Sequence, residues 1–224
     1  MPRSHPSAHA TPPAVRCVDR RGVHTFGVPL RVVRAARLEE VVPTLAEVER
    51  ETAAGRFAAG FVAYEAAPAF DAALAVHAAS ALPLAWFAIY ADPPADGNLS
   101  GEAPLEVAHP EWESACSESH YREAIDRIHA LIAAGDTYQV NFTFPMRAHF
   151  DGDAAALFDA LICAQPTDYG CFIDAGDFAI LSVSPELFFR LDGESICCRP
   201  MKGTAARGLA SADEIGRASC RERV

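Results

Sequence analysis

Apolar and polar positions follow two distinct rhythms along this chain. Between residues 119 and 134, Tyr121, Ala124, Ile125, Ile128, Leu131 and Ile132 recur at steps of three and four. That is the period of a helix with one apolar stripe. Ser117 or Ser119 can cap this helix and Gly135 follows as its stop. A second helix is expected over 38–54 (LEEVVPTLAEVERETAA), closed by Gly55, with Leu45, Val48 and Thr52 on one face. Pro43 is expected in or just before its first turn. A third helix is expected over 153–164. The other rhythm has period two. Tyr138, Val140, Phe142 and Phe144 alternate with Gln139, Asn141 and Thr143, which predicts a strand within 137–150. Gln139 and Asn141 would lie on its polar face in a supporting or structural role. Residues 57–64 (FAAGFVAY) read as a buried strand, with Gly60 permitting close backbone approach, and residues 83–90 (PLAWFAIY) as another strand. Residues 23–36 lean toward β structure, 65–74 read as a turn or short helix, and a short strand is expected at 105–109. Residues 171–200 hold up to four strands, with turns at 175–177 and 192–193.

Strands in runs with few intervening helices predict an antiparallel-rich α+β fold, not an alternating parallel sheet. No internal repeat of solenoid period occurs. Residues 1–22 read as a disordered leader. Residues 23–104 form an amino-terminal α+β region that ends in a Pro/Gly-rich linker, 91–104 (ADPPADGNLSGEAP). Residues 105–214 form a second region. The last ten residues, 215–224 (IGRASCRERV), are off-pattern and fit a frame change or another artefact.

Composition narrows the function classes. At 224 residues the chain is long enough to bury a core, and 50% hydrophobic with 22% charged residues reads as soluble and globular. A net charge of −11 argues against sequence-independent nucleic-acid binding and against anionic membrane surfaces. No run of apolar residues is long enough to span a membrane, and the amino terminus lacks the apolar core of a signal peptide. The 7 cysteines are odd in number and lack C-x-x-C spacing. That suits neither a zinc site nor a disulfide framework, and a reducing, cytoplasmic setting is expected.

Of 19 lysine and arginine residues, only Lys202 is a lysine. Arginine cannot act as a neutral nucleophile or base, whereas a lysine of lowered pKa can. Lys202 lies in P-M-K-G-T, 200–204, and Glu186 ends S-V-S-P-E, 182–186. The two flank what reads as one antiparallel hairpin, which returns its ends to one end of the sheet. An acid and the sole amine would then meet, as nucleophilic catalysis with proton relay requires. The same spacing also fits a structural salt bridge at the hairpin mouth. Gly203 lets a ligand approach the backbone closely, and Thr204 offers a hydroxyl and an N–H.

Three motifs in order, G-D-T-Y-Q-V-N (135–141), S-P-E-L-F-F (184–189) and P-M-K-G-T, resemble the chorismate-utilising enzymes, from about residue 117 to 207. GFVAYEAAPAFD, 60–71, resembles the amino-terminal region of the members that form aminodeoxychorismate. The resemblance implies an anthranilate-synthase-like sandwich of antiparallel sheets flanked by helices. Within it, a lysine at position 202 points to the aminodeoxychorismate-forming branch, since the anthranilate-forming branch usually carries alanine there. The implied chemistry is attack of Lys202 on C2 of chorismate with loss of the C4 hydroxyl. Ammonia then adds at C4 and expels the lysine, giving 4-amino-4-deoxychorismate for p-aminobenzoate and folate synthesis. By the same resemblance Glu186 is the general acid and base, and Gly203 and Thr204 contact substrate. A glutamine amidotransferase partner supplies ammonia, and Mg²⁺ holds a substrate carboxylate. Its ligands are expected beyond this chain, since family members are much longer. The chain accordingly reads as an amino-terminal fragment, truncated in its C-terminal half and inactive alone. Rival readings are an anthranilate- or isochorismate-forming enzyme and a non-catalytic binding fragment. Q-P-T-D-Y, 165–169, falls where some relatives bind regulatory tryptophan, but the element that completes such a site is not evident in residues 23–50.

Overall fold

A computed structural model describes residues 12–77, 81–97 and 111–200. The chain forms two units, Met1–Ala103 with Phe158–Val224, and Pro104–Leu157. The first unit is built on β1 (Ala14–Asp19). β1 pairs antiparallel with β2 (Gly22–Thr25) on one side and with β9 (Tyr169–Asp174) on the other. β10 (Ala179–Ser184) and β6 (Ala95–Gly97) complete a five-stranded sheet of order β10-β9-β1-β2-β6. A second sheet has order β3-β5-β4, from Arg31–Ala35, Ala85–Tyr90 and Phe57–Val62. All these pairings are antiparallel.

The two sheets pack face to face. Val15 and Ile173 from one and Trp86, Ala88 and Tyr90 from the other form the buried centre. Phe61 meets Phe178 edge-on at 6.0 Å, and Phe26 lies 4.7 Å from Tyr90. Strand periodicity sends the alternate residues of each sheet outward. Ala85 and Phe87 of β5 face a second cluster with Val41, Leu45 and Ala66. These belong to α1 (Leu38–Ala53) and to a 3-10 segment, Tyr64–Ala69. On the far side of the five-stranded sheet lies the second half of α3 (Ala154–Ala164), where Phe158 stacks near Phe172 at 5.6 Å. The Arg16 guanidinium lies 5.0 Å from the Phe172 ring and 3.1 Å from Asp159. This unit is therefore an α–β–β–α sandwich, in which β5 is covered on both faces.

The second unit contains α2 (Glu118–Ala134) and a two-stranded pair, β7 (Glu113–Ser114) with β8 (Met146–Arg147). Ser117 caps α2 by accepting the His120 N–H at 3.2 Å, and Gly135, at φ +82°, ends it. Back in the first unit, β11 (Leu187–Asp192) and β12 (Ser195–Arg199) form a separate hairpin. Its two-residue turn uses Gly193 at φ +57°, the left-handed conformation such a turn needs at its first position.

Four expectations are corrected. Residues 14–19, placed in a disordered leader, are the central strand β1, because Val15 and Val18 are buried and its backbone is paired on both edges. Residues 95–97, placed in the linker, pair with β2. Pro43 lies in the second turn of α1, not the first, and the buried face runs through Val41 and Thr44 while Thr52 is exposed. Residues 138–144 carry strand periodicity but form no strand. A ladder needs a neighbour, and no described strand pairs with them; Phe142 and Phe144 instead pack at 5.8 and 6.1 Å from Tyr121 of α2. The strand expected at 105–109 and the tail 215–224 lie outside the described residues.

Two predictions follow from this packing. A Cβ at Gly60 would lie 2.0 Å from the Trp86 carbonyl oxygen and 2.7 Å from Phe87 Cα, both backbone atoms of the adjacent strand. Gly60→Ala should therefore destabilise by about 1–3 kcal/mol or more, read as a lowered midpoint in urea unfolding. His24 bridges two carboxylates, Nδ1 to Asp96 at 2.8 Å and Nε2 to Asp19 at 3.0 Å. The Asp19 and Asp96 contacts raise the His24 pKa above its ordinary value. His24 and the Arg21 N–H lower that of Asp19. The His24 contribution is present in full below its unfolded pKa and fades as pH rises through the raised folded value. That of Asp19 is present above its unfolded pKa and fades as pH falls through the lowered one. The melting temperature of the wild type should exceed that of His24→Gln between those limits, by the equivalent of about 0.2–1 kcal/mol, and the gap should close in alkali.

Candidate functional site

The S-V-S-P-E segment ends β10, and a short polar turn fixes where Glu186 leaves it. Ser184 Oγ accepts the Glu186 N–H at 3.2 Å and donates to the Glu186 carbonyl at 3.1 Å, with Pro185 between them. The Thr167 hydroxyl donates to the Ser184 carbonyl and accepts the Tyr169 N–H at 3.2 Å. The turn before β9 is thereby tied to the turn after β10. From the returning strand, the Arg199 guanidinium donates to the Tyr169 hydroxyl at 3.5 Å. One side-chain link thus ties the end of β10 to the turn before β9, and the other joins the end of β12 to the first residue of β9.

The hairpin register sets Leu187 opposite Arg199. Glu186, exposed, therefore leaves the hairpin at the same end as Pro200. Lys202, Gly203 and Thr204 lie outside the described residues. Gln139 and Asn141 are exposed and belong to no strand. Thr167, Tyr169 and Arg199 were not singled out by motif reasoning. Thr167 and Tyr169 fall inside Q-P-T-D-Y, where a hydroxyl in a Pro-containing turn signals side-chain capture of nearby backbone.

Beside this junction lies an open cavity of about 610 Å³ between the end of β1 and the 166–169 turn. Arg20 and Asp168 form an ion pair in its wall, and Cys163, Thr167 and Pro185 contribute to the lining. Among the described residues no group of three or more His, Cys, Asp or Glu side chains could hold a metal ion. No described helix is long and apolar enough to cross a membrane.

Thr167→Val removes the hydroxyl but keeps the branched shape, and leaves the Ser184 carbonyl without that donor. The loss should be about 1 kcal/mol, a fall of roughly 2–4 °C in melting temperature. Thr167→Ser should restore most of it in a thermal melt.

Comparison with known proteins matches a family model described as chorismate binding enzyme over residues 20–219. The chain is similar to anthranilate synthase component 1 of Pseudomonas putida, 36% identical over 111 residues, which cover 50% of this chain and 22% of that protein. It is also similar to aminodeoxychorismate synthase component 1 of Salmonella typhimurium, 36% identical over 96 residues, 43% of this chain and 21% of that protein. Anthranilate synthase component 1 1 of Haloarcula marismortui is 30% identical over 128 residues, 57% of this chain and 25% of that protein. The chain thus covers a fifth to a quarter of the length of these relatives. With the family model spanning most of its residues, the chain belongs to the chorismate-binding enzyme family.

Proposed function

We propose that this protein takes part in the conversion of chorismate and ammonia to 4-amino-4-deoxychorismate. The observation that carries this reading is the sole lysine, Lys202, set in P-M-K-G-T just past a hairpin whose other strand begins at Leu187, immediately after Glu186. The Lys202 amine attacks C2 of chorismate, both ring double bonds shift, and the C4 hydroxyl leaves as water with a proton from Glu186. Ammonia then attacks C4, both double bonds shift back, and the lysine amine departs from C2. Glu186, now a carboxylate, takes the proton released by the incoming amine. Arginine at position 202 could not perform this cycle, because it stays protonated. Gly203 and Thr204 would meet the substrate beside the amine. Ammonia would come from a glutamine amidotransferase subunit, and the product would serve p-aminobenzoate and folate synthesis. Mg²⁺ would hold a substrate carboxylate.

An anthranilate-forming activity is the competing reading, supported by the similarity to anthranilate synthase components. Product analysis separates the two. In the longest natural form of the protein, with chorismate, Mg²⁺ and ammonia, the product by mass spectrometry should be aminodeoxychorismate. Lys202→Ala should lower its formation by about 10³-fold or more, or divert chorismate to another product. Anthranilate as the wild-type product, or an unchanged aminodeoxychorismate yield in Lys202→Ala, would overturn the proposal.

A further inference from the structure

Cys17 of β1 and Cys171 of β9 are directly opposed in the register of the central strand pair. Their sulfur atoms lie 3.9 Å apart. Directly opposed residues of antiparallel strands have Cα atoms about 4.5–5.5 Å apart. That falls inside the window of about 4.4–6.8 Å in which a disulfide closes without moving the backbone. Side-chain rotation alone can bring these sulfurs to bonding distance. The pair lies at the rim of the inter-sheet core, packed against its buried centre. Both residues keep partial solvent exposure, so a small reagent can reach them.

The two thiols are not equivalent. The Cys17 pKa is lowered, first by the hydrogen bond with Cys171 and also by nearby His24. The same hydrogen bond, with burial, raises that of Cys171. Thiolate, not thiol, is the nucleophile in disulfide exchange. Cys17 is thus the attacking sulfur and Cys171 the resolving one.

From this geometry we infer that Cys17 and Cys171 form a reversible redox site that reacts with small disulfides of the oxidised-glutathione class. The Cys17 thiolate attacks one sulfur of the reagent, whose S–S bond breaks and releases one thiolate. The Cys171 thiolate then attacks the Cys17 sulfur of the mixed disulfide and expels the second. Two protein thiols are oxidised to one disulfide, the reagent is reduced to two thiols, and the two protein protons end on them. The new bond closes a loop between positions 154 residues apart. Long loops are those whose closure most restricts the unfolded chain. The same strand pair carries Arg20 and Asp168 at its end, so oxidation also locks one wall of the adjoining cavity.

The test uses the full chain with all cysteines present. After incubation with oxidised glutathione, peptide mapping under non-reducing conditions should recover a Cys17–Cys171 linked peptide, and the melting temperature should rise by several degrees. Dithiothreitol should reverse both. Cys17→Ala and Cys171→Ala should each lose the linked peptide and the thermal shift, and a Cys163→Ala control should keep both. Absence of the linked peptide in folded wild type, or an unchanged thermal shift in Cys171→Ala, would overturn the inference.

Discussion

The pairing of β1 with β9 is the constraint on which the first unit rests. It joins Val15 to Ile173 and Cys17 to Cys171, positions otherwise at opposite ends of the chain. Without it, the sheet would divide into the two-stranded β9–β10 hairpin and a small β1-β2-β6 piece. Isolated two-stranded ribbons are at best marginal in water. With it, they become one twisted sheet with two usable faces. One face presents Val15 and Ile173 to Trp86 and Tyr90. The other presents Arg16 and Phe172 to Phe158 and Asp159 of α3. The core carries a cost. Among the described residues Tyr90 is buried with no hydrogen-bond partner for its hydroxyl, and burial pushes its pKa up to about 12. Such a group disfavours the core by about 1–3 kcal/mol, which the surrounding apolar contacts must outweigh.

The same pairing positions the candidate site. Thr167 in the turn before β9 and Tyr169 at its first position bond the Ser184 carbonyl and Arg199. The sheet is thereby linked to the hairpin that follows Glu186. The hairpin itself is thinly covered. Phe188 is 84% exposed, and Leu191 and Ile196 are about two-thirds exposed. The apolar stripe of α2 likewise contains no fully buried residue. Among the described residues, burial is therefore concentrated in the sandwich of the first unit, while Glu186 is exposed.

Legibility in the sequence followed the locality of the determining physics. The limits of α2 were readable because a Ser cap and a Gly stop act within one turn. The hairpins of 169–199 were readable from alternation punctuated by Gly176 and Gly193. The strand β1 was not, because its flanking prolines and its Arg and Asp residues resemble a polar leader. Its partner lies some 154 residues away. The opposite error at 138–144 has the same origin, since alternation describes a surface and not the neighbour that a ladder requires. For the site, motif order singled out Glu186 and Lys202 through chemistry that a residue type alone can signal. The supporting contacts of Thr167, Tyr169 and Arg199 depend on tertiary geometry and left only a faint local trace.

Hydrogen–deuterium exchange across β1 and β9 addresses the central constraint most directly. If β1 is the middle strand of the sheet, amides of 14–19 should be protected to the same degree as those of 169–174. Both sets should exchange in one cooperative opening. Rapid, unprotected exchange in 14–19 beside a fully protected 169–174 would contradict the account and return the amino-terminal segment to the status of a leader.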